Sequence, residues 1–185
     1  MDDLASIFVK IFIILNPIAT IPLFIKASQT EKPIKLALET TGLAYLLALI
    51  FLILGDSIFY FLGIDINAFK IAGGTVLFLL GLQNVLDFSL SKEKNLKLTI
   101  LIATPMLTGP GMISLLINLK TLYPVEIVFI ALTIAMAITF LILLLSSNIY
   151  NIIGPDGFLI INKIFGLIIM SIATSMILTG MKAIY

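Results

Sequence analysis

The sequence predicts an all-α membrane protein: six transmembrane helices forming two inverted three-helix repeats, with helices 1 and 4 broken near mid-membrane. Three observations lead there. The 185 residues are 61% apolar and 11% charged, with a mean hydropathy of +1.22. The apolar residues fall into six stretches of membrane-spanning length. Rare residue types also recur at one offset, 93 positions apart: Pro17 and Pro110, Lys70 and Lys163, Gly73 and Gly166.

A soluble domain is about half apolar and about a quarter charged, so this composition excludes one. It also excludes a disordered chain and a nucleic-acid binder that works through a basic surface. The net charge of +1 offers no strong electrostatic partner. With no Cys and no His, thiolate metal sites, disulfides, cysteine nucleophiles and the usual proton carrier are missing. No catalytic residue, metal ligand or cofactor is therefore expected, and the chain does not read as an enzyme.

A membrane helix needs roughly 20 mostly apolar residues. The six segments are 4–25, 36–55, 66–86, 98–118, 126–146 and 159–181, and the polar loops are 26–35, 87–97 and 147–157. The first segment opens on Asp2 and Asp3 and carries no clear cleavage site, so it does not read as a signal peptide. The expected organisation is one membrane domain, 1–185, with repeat one over 1–90 and repeat two over 94–185. Three helices per repeat is an odd number, so the second copy enters from the opposite side, as in many secondary transporters.

Lysine bias gives orientation. With six crossings, Lys26, Lys32, Lys35, Lys92, Lys94, Lys97 and Lys163 share one side; Lys70, Lys120 and Lys182 share the other. The Lys-rich loops are then cytoplasmic and both termini outside. If segments one and four are re-entrant, four helices span, the bias becomes eight to two, and the termini lie inside. Charge counting leaves both open. Residues 98–118, uncharged and long enough to cross, favour six.

Segments one and four carry the chemistry. ILNPIATIP places Asn16-Pro17 mid-span, with Pro22 following; ATPMLTGPGMIS places Pro105 before Thr108, Gly109, Pro110 and Gly111. Proline removes a backbone donor and pushes the preceding residue out of helical geometry. Glycine adds freedom. A broken helix in hydrocarbon is tolerated only where it faces protein or a wet cavity, and paired breaks in corresponding halves point to a transporter's substrate site. Freed amides there can hold a carboxylate. Asn16, Thr20, Thr108 and Ser114 would add neutral hydrogen bonds. The bland reading is a pair of simple proline kinks.

Other small or charged residues have structural readings. Gly74 and Gly81 share a helix face and suggest close packing, as do Ser171 and Ser175. Lys70 and Lys163 lie near helix starts, where they can snorkel and pair with Asp65 and Asp156. Lys10 is deeper, and either anchors outward or lines a pathway. Glu39 can pair with Lys35. No acid sits mid-helix, so coupling to H+ or Na+ would use an end carboxylate or unwound carbonyls.

At these residues the chain resembles the MarC family of integral membrane proteins, within the LysE-type transporter superfamily. The matching stretches are ILNPIATIPLFI, FKIAGGTVLFLLGL and PMLTGPGMIS. The resemblance implies a six-helix inner-membrane protein and transport, some relatives being described as small neutral amino-acid transporters. Asn16, Pro17, Gly109, Pro110 and Gly111 are the positions matching the family motifs. The expected partners are a small-molecule substrate and the lipid bilayer, with no nucleic acid; the oligomeric state is not legible. An exporter, a passive channel and a non-transporting membrane scaffold are the other readings. A channel would show a ring of lining charges or carbonyl loops, and the sequence has neither.

Overall fold

The structure, a computed structural model, describes residues 2–29, 32–86 and 109–184. Regular structure among the described residues is helical: α1 (Asp2–Leu15), α2 (Pro17–Ala27), α3 (Pro33–Leu62), α4 (Ile66–Leu86), α5 (Pro110–Leu122), α6 (Val125–Leu144) and α7 (Ser146–Ile184). Five stretches are long and apolar enough to cross a membrane: Asp3–Pro22, Pro33–Leu62, Ile66–Leu86, Val125–Leu144 and Ser146–Ile184. Large apolar side chains such as Leu46, Ile53, Phe129, Ile160 and Leu178 are exposed around the bundle. Helices apolar on all sides belong in lipid.

Segment one crosses the bundle. At one end the Lys10 ammonium lies 5.9 Å from the centre of the Tyr123 ring, just before α6 begins. At the other, Phe24 and Ala27 of α2 are buried with Leu143, near the end of α6. Together α1 and α2 therefore run the length of a full span. That argues against a re-entrant first segment. For segment four only α5 is described; residues 98–108, including Pro105 and Thr108, and the loop 87–97 lie outside the described residues.

Two boundaries differ from expectation. The second segment is longer than 36–55, running to Leu62. There Gly63 adopts a left-handed conformation (φ 65°), its amide bonds to the Tyr60 carbonyl, and the Ile64 amide bonds to Phe59. These paired bonds close a helix end that needs glycine. Asp65 then caps α4 by accepting from the amides of Asn67 (2.7 Å) and Ala68 (2.9 Å). The anticipated Asp65–Lys70 pair does not form, because the carboxylate serves the helix start. The second difference is 147–157, which is mostly helical rather than a loop. Ile149, Tyr150, Ile152 and Ile153 sustain a helix up to Gly154, whose φ 69° and ψ 168° break α7 before Pro155. That conformation is essentially reserved for glycine.

The third and sixth segments form the closest pair in the fold. Gly81 lies against Gly166, Gly74 against Ala173 and Gly180 against Asn67, so α4 and α7 run antiparallel with small residues at seven-residue steps. A Cβ on Gly81 would come within 2.7 Å of the Gly166 carbonyl oxygen, and one on Gly166 equally close to the Gly81 oxygen. In lipid such backbone proximity replaces the hydrophobic drive that holds soluble helices together. The Lys35–Glu39 pair forms, at 3.6 Å along an exposed face of α3.

Candidate functional site

The break in segment one is made by Asn16 and Pro17 together. Asn16 sits at φ 43°, ψ 55°, the only non-glycine with positive φ among the described residues. Asparagine is one of few L-residues that tolerate this conformation, and it is also a preferred helix N-cap. It does both jobs here. Its amide ends α1 by bonding the Phe12 carbonyl at 3.1 Å. Its Oδ1 starts α2 by accepting from the Ala19 amide at 3.4 Å. Pro17 follows at the first helical position, where a missing N–H is harmless.

This self-capping changes what the break can offer. The early amides of a helix lack internal partners. In α2, however, the Asn16 amide bonds backward, Pro17 has none, and Ala19 meets Asn16 Oδ1. Among the described residues, the Ile18 amide has no such capping bond. The Thr20 hydroxyl donates to the Asn16 carbonyl at 3.4 Å. The Ala19 bond to Oδ1 is long for its type, so the carboxamide is loosely held. Its Nδ2 has no hydrogen-bond partner among the described residues, although Asn16 is 8% exposed.

Asn16 and Thr20 line a small hollow inside the bundle. Its other polar walls are Gln83 and Asn84, one helix away on α4; Leu77 and Ile169 complete the apolar side. Among the described residues, no charged side chain lines it. Gln83 and Asn84 were missed in the sequence because they close an apolar segment and look like the start of a polar loop. Their signal was the pairing of two carboxamides one turn before the end of a glycine-faced helix.

The second break is built differently. Gly109 is extended (φ −71°, ψ −178°), buried, and caps α5 with no side-chain bond; Pro110 is again the first helical residue. The Gly109 carbonyl accepts from Ile113 at 3.1 Å, and among the described residues no side chain caps the early amides of Gly111 and Met112. Gly111 presses on α4: a Cβ there would lie 2.3 Å from Leu77 Cγ and Cδ2. Leu77 thus touches both breaks. Ser114, fully buried, points to the Phe69 carbonyl of α4 at 3.5 Å and does not line the hollow. Of the residues expected to form one site, Asn16 and Thr20 meet in the hollow. Gly111 adjoins it across Leu77. Ser114 serves helix packing, and Thr108 lies outside the described residues.

A family described as MarC family integral membrane protein matches residues 1–185. The chain belongs to the MarC family. Relatives of this family include a UPF0056 membrane protein of Pyrococcus abyssi, 33% identical with 100% of this chain and 97% of the relative covered. The UPF0056 membrane protein of Aquifex aeolicus is 31% identical, covering 98% of this chain and 95% of its own length. The UPF0056 inner membrane protein YhgN of Escherichia coli is 28% identical over 98% of both chains. No solved structure matches. These matches make the chain an integral membrane protein of the MarC family, end to end, and the Asn16 break and the Gly109–Gly111 break both fall within the matched length.

Proposed function

We propose that this MarC-family protein is a secondary transporter of small neutral amino acids or similar small solutes. The observation that carries the reading is the interruption of a buried membrane helix at Asn16, opening onto a small hollow whose polar lining groups are neutral. A helix break in an apolar bundle is costly unless the freed backbone has a use. Here the polar groups beside it are three carboxamides and a hydroxyl. Such a wall suits a solute without net charge, since a net charge buried there would be unpaired. The uncapped N-terminus of α5 supplies the complementary feature, a positive dipole end fit for a carboxylate.

In this reading the two halves, 1–90 and 94–185, form inverted repeats. The packing supports it. The first broken segment packs on α6 and α7, while α5 packs on α3 and α4, which is the same relation with the halves exchanged. The third and sixth segments are antiparallel, as inversion requires. Between the Asn67–Gly180 and Gly81–Gly166 contacts, Gly74 meets Ala173. The Lys-rich loops face the cytoplasm and both termini lie outside. Coupling to H+ or Na+ would draw on carboxylates near span ends or on carbonyls at the breaks.

The test is uptake of labelled glycine and alanine into proteoliposomes under an imposed proton or sodium gradient. Gradient-dependent accumulation is expected. No movement under either gradient would refute the transporter reading. Single-channel currents instead would favour a passive channel, and neither activity a scaffold.

A further inference from the structure

We infer that Leu77 is the size-selecting residue of this site, a movable partition between the two helix breaks. The inference rests on the transporter reading above and adds what limits the solute.

Three observations meet at this side chain. Leu77 is 2% exposed, at the centre of the bundle. It walls the hollow that Asn16 and Thr20 open onto. Its other side fills the space left by Gly111, where even one added carbon would collide with it. The polar groups of the first break and the uncapped amides of the second are therefore separated by one leucine.

The hollow beside it measures about 30 Å³, room for a water molecule or two and no more. A solute that reaches both the carboxamides and the α5 amides must displace the leucine side chain. Leucine reaches several rotamers by rotation about its first two side-chain bonds, and Gly111 offers no Cβ to block it. The volume that Leu77 can vacate then sets the volume of solute admitted. Glycine and alanine need the least displacement. A branched amino acid needs the space that Leu77 itself occupies.

Substituting Leu77 tests this in proteoliposomes with labelled glycine, alanine and valine. The wild type is expected to take glycine and alanine and exclude valine. Leu77→Ala should raise the valine-to-glycine uptake ratio by about tenfold or more, since a pocket discriminates one or two methylenes by roughly 10- to 200-fold. Leu77→Val should shift it in the same direction by less, and keeps the test alive if the alanine variant does not insert. Leu77→Phe should lose alanine uptake before glycine uptake. A ratio unchanged in both shortened variants, with wild-type glycine uptake intact, overturns the role of Leu77 and spares the transporter reading. Absence of uptake by the wild type overturns both. A fall in all uptake with the ratio constant assigns Leu77 to packing and also overturns the inference.

Discussion

The two helix breaks produce one backbone event by opposite means. At Asn16 a side chain does the work: it takes the left-handed conformation, ends one helix and caps the next. At Gly109 the absence of side chains does it: an extended glycine, a proline and a second glycine that lets α4 come close. The first break spends its amides internally and presents a carboxamide. The second leaves amides uncapped and presents backbone. The lesson is that a scaffold with symmetric packing can carry an asymmetric site, with neutral polar atoms from one break and a helix dipole from the other. A zwitterion, itself asymmetric, fits such a pair.

The broadest challenge to this comparison is to heal both breaks. Pro17→Ala combined with Pro110→Ala restores two amide donors and removes the ring clashes that keep the helices apart. Transport should be abolished while the protein still inserts, as read by uptake and by membrane fractionation. Unchanged uptake would reduce both breaks to kinks.

Gly111→Ala attacks the second break alone. The new methyl meets Leu77 at 2.3 Å, and overpacking of this kind costs about 1–3 kcal/mol. Thermal unfolding in detergent should show it. A stable variant would mean that Leu77 moves freely in the resting protein.

At the first break, Asn16→Ala removes a cap and forces a Cβ residue without a stabilising side chain into left-handed geometry. A loss of about 1–2 kcal/mol is expected from the cap. Asn16→Gly separates the two roles: stability should fall by only a few tenths of a kcal/mol, whereas solute affinity should fall if the carboxamide binds. Equal stability losses in the two variants would show that conformation is not what Asn16 contributes.

The smallest effect is expected far from both breaks. Lys120 Nζ lies 2.7 Å from Asp56 Oδ2, and 3.5 Å from the Ile53 carbonyl oxygen, tying α5 to α3. Both side chains are partly exposed, and such pairs contribute about 0–1 kcal/mol. Lys120→Met should leave the unfolding temperature nearly unchanged. A large drop would mean that the end of α5 is held by this pair, more than by its packing.

Much of this architecture was legible in the residues. The break at Asn16-Pro17 followed from proline chemistry, and the α4 packing face from the spacing of Gly74 and Gly81. The α7 side of that seam was partly visible, since Gly166 already stood out as the repeat partner of Gly73. What stayed hidden depended on partners distant in sequence. Leu77 is one leucine among many until Gly111 and Asn16 are seen on either side of it. Ser114 was expected beside the break, and what the sequence could not show is that its hydroxyl lies 3.5 Å from the Phe69 carbonyl of a neighbouring helix. The helix before Gly154 was hidden by its polar residues, Ser147, Asn148 and Asn151, which lie exposed on a helix that also carries Ile149 and Ile153.

The packing of the first segment has a consequence for biosynthesis. Lys10 reaches Tyr123, and Phe24 and Ala27 close against Leu143, so this segment docks on one made roughly a hundred residues later. During translation at roughly 5–20 residues per second, Asn16 is exposed for several seconds before α6 exists to cover it. In that interval its carboxamide has lipid, the insertion machinery or water as company. A residue that caps its own helix is well suited to the wait. The local bonds of Asn16 to Phe12, Ala19 and Thr20 hold the break together without any partner from the unfinished half.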